Sequence, residues 1–113
     1  MKKYDKEQPF KFEVKFDAIV KDSDYNVAMA KIIDEVNKLN GGEVTIRELK
    51  GEHRGISYDE AKQSFNFEIK IEVLVKGFSY DIEMKKIIED VNNLNEGNAE
   101  MREIKGEHTC FVA

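Results

Sequence analysis

Several things that would make this chain's role easy to read are missing from it. It has a single cysteine, Cys110, so no internal disulfide can form, and that usage suits a reducing cytoplasm. No run approaches the 18 or so apolar residues needed to cross a bilayer as a helix. Lys2 and Lys3 near the N-terminus have no apolar stretch behind them, so no secretory signal is expected. There is no basic excess either: net charge is −5, and arginine occurs only as Arg47, Arg54 and Arg102. General nucleic-acid binding needs a cationic face to neutralise phosphates, so this balance counts against it. Gly41-Gly42 is followed by Glu43 and lacks the Lys-Ser/Thr of a phosphate loop, so it reads as a helix stop.

What is present is a repeat. Residues 11–53 align without a gap on residues 66–108 at an offset of 55, with 21 identical pairs over 43 positions. The 113 residues make one domain, 1–113, with repeat 1 at about 4–57 and repeat 2 at about 58–113. Two separate cores would be too small, so the halves are expected to share one. Hydrophobic residues at 41% and charged residues at 36% describe a globular chain with a strongly solvated surface. Lysine and asparagine, both abundant, have AT-rich codons, which points to a low-GC bacterium or its phage.

Each copy opens on strict alternation. Apolar residues stand at Phe10, Phe12, Val14, Phe16 and Ala18, and again at Phe65, Phe67, Ile69, Ile71 and Val73, with polar residues between. Period two with aromatic and β-branched residues predicts a half-buried strand. Asp22-Ser23-Asp24 and Gly77-Phe78-Ser79 supply turn and N-cap residues. Apolar positions 25, 29, 32, 33, 36 and 39 and their copies then predict an amphipathic helix of about four turns. Asn40-Gly41-Gly42 and Asn95-Glu96-Gly97 end it. A second strand follows, and its alternation slips by one residue, which predicts a β-bulge near 47–49 and 102–104.

Two strand–helix–strand units with right-handed crossovers interleave most economically into one antiparallel sheet of order 4-1-3-2, with both helices on one face. This α+β arrangement resembles the ferredoxin-like fold, which hosts many unrelated activities. The solvent faces of the two central strands carry Lys11, Glu13, Lys15, Asp17 and Asn66, Glu68, Lys70, Glu72. Opposite charges are favoured across a pair by a few tenths of a kcal/mol. The expected register therefore sets Lys15 opposite Glu68, with Lys15 opposite Glu72 as the other charge-compatible choice.

The repeated Arg-Glu-x-Lys-Gly-Glu-His is the most chemical-looking segment. Glu52, His53, Glu107, His108 and Cys110 have the residue types of a metal site. The sheet order sends the two copies to opposite edges, roughly 14 Å apart, so no metal, cofactor or catalytic residue is assigned. Cys110 has only Gly55 as its counterpart in repeat 1, and it reads as a packing residue. His53 is expected to pair with Glu68, and His108 with Glu13. Base stacking needs aromatics on the open sheet face, where this chain has lysine and glutamate.

The phenylalanines suggest a different role. A first strand of about twelve residues spans roughly 40 Å, against roughly 24 Å for its helix. The sheet should overhang its helices, leaving Phe10, Phe12, Ile56, Phe65, Phe67 and Phe111 in need of cover by a partner or a second protomer. The function expected is a cytoplasmic, non-enzymatic protein–protein interaction module: a bacterial or phage accessory protein that inhibits a host complex. The alternative is a small-molecule-binding regulatory domain working as an edge-to-edge homodimer. The edge strands could also accept a partner strand.

Overall fold

The computed structural model describes residues 3–56 and 63–109. The order is β1 (Lys3–Asp22), α1 (Tyr25–Asn37), β2 (Val44–Ile56), β3 (Gln63–Ser79), α2 (Tyr80–Asn92) and β4 (Ala99–His108). The strands form one antiparallel sheet, β2-β3-β1-β4. Read from the other edge this is 4-1-3-2, so the fold is ferredoxin-like with two βαβ units.

The helices begin and end where the local chemistry requires. Asp24 Oδ1 accepts the Asn26 N–H at 3.1 Å, and Ser79 Oγ accepts that of Ile82 at 3.5 Å. Each cap satisfies one of the first-turn donors that have no helical partner. Each helix runs for 13 residues. A short 3-10 turn then carries the chain into left-handed geometry, at Asn40 (φ 51) and Gly41 (φ 64), and at Asn95 (φ 52) and Glu96 (φ 57). Both asparagine side chains bind the sheet, with Asn40 Nδ2 donating to the Leu74 carbonyl at 2.8 Å and Asn95 Nδ2 to that of Ile19.

The core lies between the helices and one face of β1 and β3. From β1 come Phe10, Phe12, Val14, Phe16, Ala18 and Val20, and from β3 Phe65, Phe67, Ile69, Ile71 and Val73. Ala28, Ile32 and Val36 of α1 and Ile87 and Val91 of α2 close it from above.

The central register corrects the charge-based expectation. Lys15 is level with Lys70, its own repeat counterpart, so the pseudo-twofold passes between them. Glu13 then faces Glu72, and Asp17 faces Glu68. The hydrophobic face decides this. The observed register sets Phe12 against Val73, Phe16 against Ile69 and Ala18 against Phe67, large against smaller. Sliding Lys15 to Glu68 would bring Phe16 level with Phe67. Forcing two large rings together in a packed core costs about 1–3 kcal/mol, which outweighs a few tenths per charge pair.

The expected bulges are present. Arg47 is the extra residue between the Ile46–Ile71 and Glu48–Lys70 pairs, and Arg102 the extra residue between Phe16–Met101 and Lys15–Glu103.

The overhang is present too, but its apolar residues are already covered. β1 has 20 residues and β3 has 17, and the molecule measures 57 × 23 × 20 Å. Yet Phe10, Phe12 and Phe67 are fully buried and Phe65 is 3% exposed. They therefore present no surface to a partner. The first residue of each helix supplies part of the cover. Tyr25 packs on Phe65 and Phe67, with ring centroids 5.5 and 5.7 Å away. Tyr80 packs on Phe10 and Phe12 at 5.8 and 5.3 Å. The Ile56 side chain, Cys110 and Phe111 lie outside the described residues.

Two predictions follow from this packing. A Cβ on Gly51 would fall 2.6 Å from the Phe67 ring, and one on Gly106 would press into the Phe12 ring and lie 2.5 Å from the Tyr80 hydroxyl. Gly106→Ala should cost about 1–3 kcal/mol through overpacking, read from a urea denaturation curve; unchanged stability would contradict the close approach. Glu96 occupies a left-handed position where repeat 1 has Gly41. A left-handed conformation costs a non-glycine residue about 1–2 kcal/mol, partly offset by the entropy glycine loses on folding. Glu96→Gly should therefore raise stability by up to about 1 kcal/mol in the same assay.

Candidate functional site

The sheet face opposite the helices is open. Its side chains form bands across the four strands. The middle band reads Glu48, Lys70, Lys15, Glu103 from β2 to β4. On one side of it lie Thr45, Glu72, Glu13 and Lys105, and on the other Lys50, Glu68, Asp17 and Glu100. Each central like-charged pair is thus flanked by opposite charge from at least one edge strand. This compensation comes from the edge strands and is absent from the two central strands alone.

The bulged arginines complete it. A bulge re-aims its extra side chain, and here it turns Arg47 and Arg102 toward the carboxylates of the next strand. Arg47 Nε donates to Glu72 Oε2 at 2.8 Å, and Arg102 Nε to Asp17 Oδ2 at 2.6 Å. Lys11 pairs with Glu107 at 3.0 Å and Lys105 with Glu103 at 3.1 Å. Lys15 and Lys70, at the pseudo-twofold, make no ion pair among the described residues.

The charges act on one another. A hydrogen bond from Lys105 holds the Glu103 carboxyl below the usual carboxylate range, with Lys105, Lys15 and Lys70 adding favourable fields. The Glu107 carboxylate raises Lys11, and that of Asp17 raises Arg102.

The pseudo-symmetry of this face is broken at its ends. Glu100 and Asn66 stand at one end where Thr45 and Lys11 stand at the other. The Glu100 end forms a shallow concavity of about 590 Å³ lined by Asp17, Glu52, Asn66, Glu68, Glu100 and Arg102. Four carboxylates there face one arginine, so that end is acidic.

The twin Gly-Glu-His segments lie on β2 and β4, the two outer strands. His53 is level with Phe65 and packs on its ring at 5.4 Å. His108 is level with Phe10, packs on it at 5.3 Å, and its Nε2 lies 3.0 Å from Gln8 Oε1. The expected His53–Glu68 and His108–Glu13 pairs do not form, because Glu68 is level with Lys50 and Glu13 with Lys105. The repeated glycine gives the Phe–Tyr stack the space it needs, and the repeated histidine lies against the next phenylalanine. Among the described residues no group of three or more His, Cys, Asp or Glu side chains is placed to hold a metal ion.

The strand-to-helix corners differ between the halves. Asp22 is largely covered and pairs with Lys31, which holds its carboxyl low. Gly77 replaces Asp22 in repeat 2, and Glu83, which replaces Ala28, lies over it and pairs with Lys86 at 3.5 Å. The carboxylate has moved from strand to helix while the lysine keeps its place. Sequence comparison shows the two substitutions separately, and only the shared corner links them.

No protein-family model matches the chain, and no curated protein matches it. Among solved structures it is similar to the C-terminal domain of the MgtC protein from Mycobacterium tuberculosis, at 12% identity and a TM-score of 0.29. That match covers 92% of this chain and 89% of the other. A likeness this loose carries no argument about what the chain does. No helix among the described residues is long and apolar enough to cross a membrane.

The ordering of fields on Glu103 can be checked. In a carboxylate NMR titration, Lys105→Gln should raise the Glu103 midpoint toward its ordinary value, and Lys15→Gln should raise it by less. A depressed carboxyl contributes stability above the ordinary carboxylate range and loses it as pH falls through the folded midpoint. The acid limb of the stability curve should therefore flatten more in Lys105→Gln than in Lys15→Gln. The reverse order would contradict the assignment.

Proposed function

We propose that this chain is a non-enzymatic binding module that engages another protein through the charged open face of its sheet. The observation that carries this reading is the pair of unpartnered lysines, Lys15 and Lys70, on an exposed face whose remaining charges are arranged in bands. Two free cations side by side are a favourable place for a partner's carboxylate. The acidic Glu100 end suits a basic residue of the same partner. Complementary charge of this kind sets orientation and association rate more than raw affinity.

The burial of Phe10, Phe12, Phe65 and Phe67 supports this choice of surface. With those rings closed in by tyrosine, the open face is the broad solvent-facing surface available for recognition. The lysine- and asparagine-rich composition supports a small bacterial or phage accessory protein, acting by occupying a face of a host complex.

The test is affinity capture with immobilised wild type, the double variant Lys15→Glu/Lys70→Glu, and a helix-face control, Lys85→Glu. A partner retained by wild type and control, at least tenfold depleted on the double variant and released by raised salt, is the expected result. Equal capture by all three would overturn the open-face reading.

A further inference from the structure

β3 carries a second feature, an open strand edge past the charged bands. β2 starts at Val44, level with Val73, while β1 stays paired with β3 without a break to Gly77 and, past an irregularity, again at Ser79. From Leu74 to Ser79, β3 is therefore bonded along one edge only, among the described residues. The Leu74 carbonyl accepts from Asn40 Nδ2 at 2.8 Å, on the side away from β1. Backbone groups alternate in direction along an antiparallel strand, so the N–H and C=O of Lys76 and Phe78 point to that same open edge.

The side chains there are unusual for a surface. Leu74 is 52% exposed and Phe78 50%, and Lys76 lies between them on the same face. The corresponding overhang of β1 carries Ile19 and Lys21, with Ser23 just past its end, and its Ile19 N–H is taken by the Asn98 carbonyl at 3.1 Å. Repeat 2 has thus gained apolar area along an edge that repeat 1 partly closes.

We infer that Leu74–Ser79 accepts an extended segment of a partner protein as an added strand, with apolar, acidic and apolar side chains at successive same-face positions. Main-chain bonds to Lys76 and Phe78 supply affinity, and the alternating side chains supply selection. Leu74 and Phe78 take the two apolar residues, and Lys76 takes the acidic one. A second copy of this chain fits poorly, since antiparallel self-pairing centred here sets Lys76 against Lys76, and like charges directly opposite are destabilising. The site lies beyond the last charged band on the same sheet face, and it uses a strand edge and residues that the open-face reading does not.

The probe is a labelled peptide containing Val-Thr-Glu-Thr-Val between serines, with the central glutamate replaced by lysine in its counterpart, each titrated into the full chain and followed by backbone amide NMR and hydrogen exchange. The glutamate peptide should shift resonances centred on residues 74–79 and slow exchange of the Lys76 and Phe78 amides. Lys76→Glu should weaken that binding at least about fivefold and reverse the preference toward the lysine peptide. Lys21→Glu, the matched change in repeat 1, should leave it unaltered. No shift at 74–79 with millimolar peptide, protection along β2 or β4 instead, or indifference to Lys76→Glu would each overturn the proposal. Lys15→Glu/Lys70→Glu should bind the peptide normally, which separates failure here from failure of the open-face reading.

Discussion

Everything else in this molecule depends on the pairing of β1 with β3 about the point where Lys15 meets Lys70. That pairing joins the two halves through their most apolar strands and brings equivalent residues of the repeat face to face. A half of this size could not close a core alone. Joined, the two strands present one continuous apolar surface, and each helix lies across it. The like charges this register stacks on the other face are a consequence the fold tolerates. They are offset by the edge strands and by the two bulged arginines.

The same constraint explains the ends. An antiparallel pair related by a pseudo-twofold sends each strand past the other's helix, so the sheet is longer than what covers it. The tyrosine that opens each helix reaches over the phenylalanines contributed by the opposite repeat. A glycine on the outer strand makes room for it. Tyr, Phe, Gly and His thus recur together because they are one packing unit, distributed over both repeats.

Duplication by itself gives a molecule equivalent ends and equivalent corners. The departures from symmetry are therefore the informative part of the surface. One end of the open face gains a carboxylate and loses a lysine, one corner moves its carboxylate from strand to helix, and one overhang exposes Leu74 and gains Phe78 while keeping its lysine. These changes fall at strand edges, sheet ends and a strand-to-helix corner, and the core positions of the two central strands stay apolar in both halves. That distribution fits a protein whose core is held constant while its contacts diverge.

Much of the architecture was legible in the residues. Period-two alternation located the strands, three-and-four spacing the helices, and one slipped alternation the bulges at Arg47 and Arg102. The gapless repeat implied the sheet order, because two right-handed units can share a core in few ways. The candidate surface was less legible. The overhang was correctly expected, but Phe10, Phe12, Phe65 and Phe67 are buried, although Tyr25 and Tyr80 recur in the repeat and were available as a clue. Charge pairing on the open face involves four strands, and the alternation of the two central ones shows only half of it. The sequence by itself determined the elements, their order and which face of each is apolar, since these follow from local periodicity and chain connectivity. Only the tertiary structure decided the register, the closure of the aromatic ends and which strand edge stays open. Those depend on how large side chains interlock across the sheet, at a free energy that outweighs the surface charges.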